Sequence, residues 1–210
     1  MSEVYEWTFS KVIEESASDA PTPGGGSVSA MVASLGTAMV AMVSNLTIGK
    51  EKYADVQDEV TDIKDQTYKL LANLEELVTK DMAAFGEFMR VIKMPKDSEE
   101  QKQKRTEEMQ KAYIFATDTP LEIARTCLEA LKLADKLAGI GNKGAISDVG
   151  VAAYVGEASL KSALLSVDIN LPGIKDKDYV AKASQEKEVL ISQSEELRAK
   201  VIKVVQERIK

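Results

Sequence analysis

Two aspartates in this chain stand where a carboxylate could transfer protons. Asp81 lies between Leu77 and Phe85, at i±4 on an otherwise apolar helical stripe, where a buried carboxylate needs a partner. Asp148 ends the run Asn142-Lys143-Gly144-Ala145-Ile146-Ser147-Asp148, which gathers an amide, a cation, a hydroxyl and a carboxylate at one helix start. In a cleft, such carboxylates acquire perturbed pKa values and serve as general acids or bases. Plainer readings stay open at both places. Asp81 could face water or pair with a base, and Ser147 or Asp148 could cap a helix while Lys143 is solvated.

Two further segments could hold a ligand. Gly24, Gly25, Gly26 and Ser27 place free backbone amides before a helix, an arrangement that binds anions or makes a tight interhelical turn. Asn45 to Tyr53 carries Asn45, Lys50 and Lys52, either as ligand contacts or as an ordinary helix C-terminus with Gly49 as cap and lysines on the dipole. Gly139 to Gly144 formally matches G-x-G-x-x-G, but a helical pattern rather than a strand precedes it, so the dinucleotide mechanism lacks its context.

Composition narrows the chemistry. Histidine is absent and Cys127 is the one cysteine, which excludes a Cys/His zinc site, Ser-His-Asp catalysis and an intrachain disulfide. The expectation is therefore an enzyme with no metal and no cofactor, in a reducing, cytoplasmic setting. A net charge of −7 argues against nucleic acid or an anionic membrane as partner. No secretory signal pattern opens the chain. Ser27 to Gly49 is uncharged and long enough to cross a bilayer, yet its Ser, Thr, Gly and Asn content predicts a helix buried in protein.

The elements that must position these residues are helical throughout. With aromatics at 5%, the core must be built from Ala, Val, Leu, Ile and Met, which suits close helix packing. The pattern predicts a short amphipathic helix over 4–18 and a break at Asp19 to Gly26. A helix capped by Ser27 then runs to about Thr47, with Gly26, Ala30, Ala33, Thr37, Ala41 and Ser44 as a small-residue face. A continuous stripe from Tyr53 to Ile92 follows, and a charged connector from Lys93 to Gln103. Further helices are predicted over 104–117, 121–138, about 147–167 and 178–209, with breaks at Thr119-Pro120, Gly139 to Gly144 and Leu171-Pro172-Gly173. A helix over the Tyr53 stripe would be about 60 Å long, against a gyration radius of ~17 Å for a compact globule of this size. This favours a dimer. The expectation is one all-α domain over 1–210, an antiparallel bundle of long helices, dimeric.

Taken together, Pro21-Thr22-Pro23-Gly24-Gly25-Gly26-Ser27, the N-L-T-x-G-K-x-K-Y run from Asn45 to Tyr53, Asp81-x-x-x-Phe85 and Asn142-Lys143-x-Ala145-x-Ser147-Asp148-Val149-Gly150 resemble one family. It is the formimidoyltetrahydrofolate cyclodeaminase and methenyltetrahydrofolate cyclohydrolase family, and the resemblance runs from about residue 8 to 180. A similar domain in vertebrates follows a formimidoyltransferase domain, for which this chain has no room. The resemblance implies an all-α homodimer with a folate site in a cleft near the dimer interface. It implies either expulsion of ammonia from 5-formimidoyltetrahydrofolate or interconversion of 5,10-methenyl- and 10-formyltetrahydrofolate, with the cyclodeaminase preferred. On that reading Asp81 and Asp148 transfer protons and Lys143 is their electrostatic partner. Asn142 and Ser147 orient the substrate, Phe85 lines its site, and Gly24 to Ser27 with Asn45, Lys50 and Lys52 bind it, the glycine loop and lysines holding the glutamate tail. A non-catalytic folate-binding or scaffolding dimer is the alternative from another class. Ser166 departs from the family pattern, which often has Asn there.

Overall fold

The structure is a computed structural model describing residues 3–210. Among these residues there are six α-helices and no strand: α1 (Phe9–Ser16), α2 (Gly25–Thr47), α3 (Gln57–Ile92), α4 (Glu99–Ile140), α5 (Ile146–Asn170) and α6 (Lys177–Ile209). Short 3-10 turns at Glu3–Glu6, Glu51–Val56, Lys143–Ala145 and Leu171–Gly173 join or precede them. Cross-helix bonds fix the directions. Lys80 meets Glu122 and Arg90 meets Glu108, so α3 and α4 run antiparallel. Lys187 with Asp168 and Arg198 with Glu157 do the same for α5 and α6.

The uncharged helix is central, packing on α3, α4 and α5. Its small-residue face, Gly26, Ala30, Ala33, Thr37, Ala41 and Ser44, is buried throughout. At Gly36 a Cβ would stand 2.7 Å from Val155 Cγ1, so α2 and α5 touch where only glycine fits. By length and composition α2 could cross a membrane, but 61% of its apolar window is buried in the bundle. Two core segments succeed each other along the bundle, one around Leu74, Leu77, Leu121, Leu160 and Leu164, the other around Val43, Ile63, Leu137, Ile146 and Val201. Succession of this kind follows from helix length. At 36 and 42 residues, α3 and α4 span about 54 and 63 Å at ~1.5 Å per residue.

Several boundaries differ from the sequence expectation, each for a local reason. The helix expected over 4–18 is divided, because Thr8 caps α1 by accepting from the Lys11 amide at 3.1 Å. Ser27 is not a cap. The helix begins three residues earlier, after Gly24, which offers no side-chain cap. The connector expected over Lys93 to Gln103 is shorter, since Ser98 and Gln101 form a reciprocal capping box that starts α4 at Glu99. The two helices expected over 104–117 and 121–138 are one, with Pro120 inside it. Proline cannot donate to the carbonyl four residues back, here Ala116. The Asn170 side-chain amide supplies that hydrogen bond instead, at 2.8 Å, so the helix continues.

Candidate active site

Asp81 sits where the apolar stripe of α3 leaves the core. Leu77, one turn earlier, is 1% exposed; Phe85, one turn later, is 38% exposed. The carboxylate lies against the start of α2. Ser27 Oγ donates to Asp81 Oδ2 at 2.6 Å, and the Ser27 backbone amide also bonds it. A Cβ on Gly26 would stand 2.2 Å from Asp81 Oδ1, so the glycine is what admits the carboxylate. Asp81 thus serves the helix terminus that Gly24 leaves uncapped, where the α2 dipole favours negative charge. Burial raises its proton affinity above the ordinary carboxylate value, and the Ser27 bonds pull part of that back.

Around Asp81 opens a cleft of about 440 Å³, within the range of small-molecule sites. One wall is the loop from Pro21 to Gly26, whose Thr22–Pro23 bond is cis. The opposite wall is aromatic, with Phe85, Phe88 and Tyr113; Ser166, Ile169 and Asn170 of α5 close the end. The structure therefore brings Gly24, Gly25, Gly26, Asp81 and Phe85 to one cleft. Ser27, expected to touch substrate, is fully buried and spends its hydroxyl on Asp81.

The remaining predicted residues lie elsewhere. Gly26 and Asn45 are at opposite ends of α2, about 28 Å apart along the helix at ~1.5 Å per residue. There, Asn142 stitches two loops together. Its amide donates to Thr47 Oγ1 and its Nδ2 to the Leu46 carbonyl, both at 2.8 Å, while its Oδ1 accepts from Gly144 N and from Tyr53 Oη. Tyr53 Oη also accepts from the Lys143 amide at 2.9 Å. Asn45 donates to Tyr68 Oη at 3.2 Å. Lys50, Lys52, Lys143 and Ser147 are exposed and Asp148 is half-buried. Neither Ser147 nor Asp148 caps α5, although Asp148 lies in its first turn. Within one chain the glycine segment and the lysines lie at opposite ends of α2.

Tyr113, Phe88 and Asn170 were not singled out in the sequence. The aromatics read as core positions, and nothing local marks Asn170 as the residue that mends α4. Among the described residues no group of three or more His, Cys, Asp or Glu could hold a metal ion.

Residues 8–189 match the model that defines the formiminotransferase-cyclodeaminase family. A methenyltetrahydrofolate cyclohydrolase from Methylorubrum extorquens is 35% identical over 202 residues, 96% of this chain and 97% of its own. The formimidoyltransferase-cyclodeaminase of Rattus norvegicus is 30% identical over 190 residues, 90% of this chain but only 35% of that longer protein. A crystal structure of formiminotetrahydrofolate cyclodeaminase from Thermotoga maritima superposes with a TM-score of 0.89 at 30% identity, covering 99% of this chain and all of that one.

Proposed function

This chain belongs to the formiminotransferase-cyclodeaminase family, and on that footing we propose that its cleft makes or opens the methenyl bridge between N5 and N10 of tetrahydrofolate. The observation that carries the reading is Asp81, a carboxylate of raised proton affinity held by Ser27 on the wall of a cleft with an aromatic face. In the cyclodeaminase reaction N10 attacks the formimidoyl carbon on N5, giving a tetrahedral carbon bonded to both nitrogens. N10 loses its proton, the departing nitrogen, which enters protonated as C=NH2+, gains one more, and ammonia leaves with the methenyl cation behind it. A carboxyl poised by burial can take the first proton and return it at the leaving group. The cyclohydrolase reaction has the same tetrahedral carbon with water in place of ammonia. The full-length cyclohydrolase relative at 35% identity favours this second reading. Assaying the purified protein on both substrates by methenyl absorbance decides between them. A protein that turns over neither one is not the enzyme proposed.

The reaction as proposed transfers no electrons and so draws on no redox cofactor, and a carboxylate such as Asp81 supplies its proton transfers without a metal.

The active form is proposed to be a homodimer. On α2, Val28, Val32, Leu35, Met39, Met42 and Leu46 follow the alternating four-and-three spacing of a packing seam. Leu35 is 57% exposed, and Val32 and Leu46 are exposed beside it. Phe9 and Ile13 of α1 and Val151, Tyr154 and Leu165 of α5 add exposed apolar surface, and α1 with α2 enclose an apolar groove of about 510 Å³. The seam is symmetric about Thr37. A two-fold axis there would pair Val28 with Leu46 and Leu35 with Met39 of a second copy, an isologous contact. The Lys50, Lys143 and Asp148 end of one copy would then approach the Asp81 cleft of the other. Both groups of predicted residues could so act on one substrate.

A further inference from the structure

Asn170 lines the cleft, and its side chain has a single kind of hydrogen-bonding atom left to offer. Its Nδ2 donates to the Ala116 carbonyl, orphaned by Pro120, and to the Ser166 carbonyl, both at 2.8 Å. With both side-chain N–H bonds committed, the amide cannot flip without unmaking the repair of α4. What remains is Oδ1, an acceptor that no donor among the described residues reaches.

The surface beside it is held as firmly. The Tyr113 ring lies over Gly173, where a Cβ would stand 2.3–2.5 Å from three ring carbons. Phe88 packs against Tyr113 edge to face, with centroids 5.1 Å apart and planes at 65°. The Leu171–Gly173 turn is fastened to α4 by Gln110, whose Nε2 donates to the Gly173 carbonyl at 2.9 Å and whose Oε1 accepts from the Lys175 amide at 2.7 Å. Two packed aromatic rings and a fixed acceptor thus line part of a cleft whose lining carries no charged side chain but Asp81.

We infer that this part of the cleft is the subsite for the reduced pterin ring, with Asn170 Oδ1 accepting from the 2-amino N–H of the aminopyrimidinone edge and Tyr113 and Phe88 forming the hydrophobic bed. The inference rests on the folate reading and adds to it which residues read the ring and with which polarity. An acceptor whose own donors are spent takes a ligand N–H and is left facing a lone pair when the ligand offers only acceptors. A buried polar group so unpaired is how sites reject close analogues. Tyr113 acts here by position, and its worth lies in binding.

The test uses the intact protein and two small probes, a 6-methyl-tetrahydropterin and its analogue lacking the 2-amino group, titrated calorimetrically and as competitors of folate turnover. The first should bind and compete; the second should be weaker by about tenfold or more, the scale of one neutral hydrogen bond. Tyr113→Leu should raise the folate KM and the pterin inhibition constant together by about tenfold, the scale of a lost aromatic contact, and Tyr113→Phe, which keeps the ring, should recover most of the affinity. Equal binding of the two probes overturns the Asn170 assignment without any variant. A Tyr113→Leu loss confined to kcat, or an unchanged inhibition constant, overturns the wall. If the wild type turns over neither folate, the functional reading itself fails. Direct titration of the probes still decides the subsite in that case, with no detectable pterin binding refuting it.

Discussion

Removing the Ser27 hydroxyl should move a limb of the pH profile. In Ser27→Ala, Asp81 keeps the backbone amide but loses a 2.6 Å hydrogen bond from a fully buried donor. A hydrogen bond to an ionised group is worth about 1.5–3 kcal/mol, and about 1.4 kcal/mol is one pKa unit. Asp81 is only partly buried and faces a cleft that water can enter, so we take the low end, an upward shift of about one unit. Burial already holds this pKa high and Ser27 opposes it, which fixes the sign. If Asp81 is the base, the acid limb of kcat/KM moves up; if it is the acid, the alkaline limb does. Stability carries the same signature. A carboxyl with a raised folded pKa contributes most below the ordinary carboxylate range, and its contribution fades as pH rises through the folded value. The melting gap between wild type and Ser27→Ala should therefore be wider at pH 7 than at pH 4. A loss confined to KM, with both limbs unmoved, would refute the argument and return Ser27 to the substrate.

Asp81→Asn and Asp148→Asn should each lower kcat by roughly 10²–10⁴-fold, the usual worth of a general acid or base; at Asp81 a lower melting point with kcat per folded molecule intact would mean it only serves the α2 terminus. Leu35→Asp should give monomers by light scattering at micromolar concentration and abolish turnover, whereas a wild type that is itself monomeric removes the dimer. Lys50→Ala and Lys52→Ala should weaken polyglutamylated folate more than the monoglutamate and more at low salt, because exposed charges are screened over ~8 Å at physiological ionic strength. Turnover should survive exhaustive chelation, and activity lost to chelator and restored by one metal would show that the chemistry has been misread.

The helices were legible because their causes are local. The small-residue face of α2 buries as its periodicity requires. The α3 stripe does so from Val60 to Leu77, beyond which Phe85 and Ile92 are exposed and Ala84 and Val91 are buried instead. The break at Thr119-Pro120 was a sound inference from proline chemistry and still did not occur. Its remedy, Asn170, is 50 residues away from Pro120 in sequence and adjacent only after α4 and α5 pack. Likewise, the Gly24-Gly25-Gly26 run marks a turn, but only the folded contact with Asp81 tells why the third glycine admits no side chain. Tertiary repair of this kind leaves no local trace.

For the candidate site, the sequence singled out residues that the structure places in two groups, and it did not show how far apart those groups lie. Asp81 was recognisable as an acid out of place on an apolar stripe, and Asn142 as part of a polar helix start. Order along a chain says nothing of which end of a bundle a motif reaches, and α2 carries one group at each terminus. Asn142 illustrates the cost of reading residues singly. Its backbone N–H goes to Thr47, one side-chain N–H goes to Leu46, and its Oδ1 accepts from Tyr53 and Gly144, so most of its polar groups hold the loop together. That loop presents Lys143 to solvent with its backbone amide pinned on Tyr53, which makes the lysine a placed charge rather than a free one. Lys143 stands at the Asn45 end of α2, about 28 Å along the helix at ~1.5 Å per residue from the Gly26 end that meets Asp81. An antiparallel second copy along the α2 seam removes that separation, because it reverses the helix and sets each end beside the other.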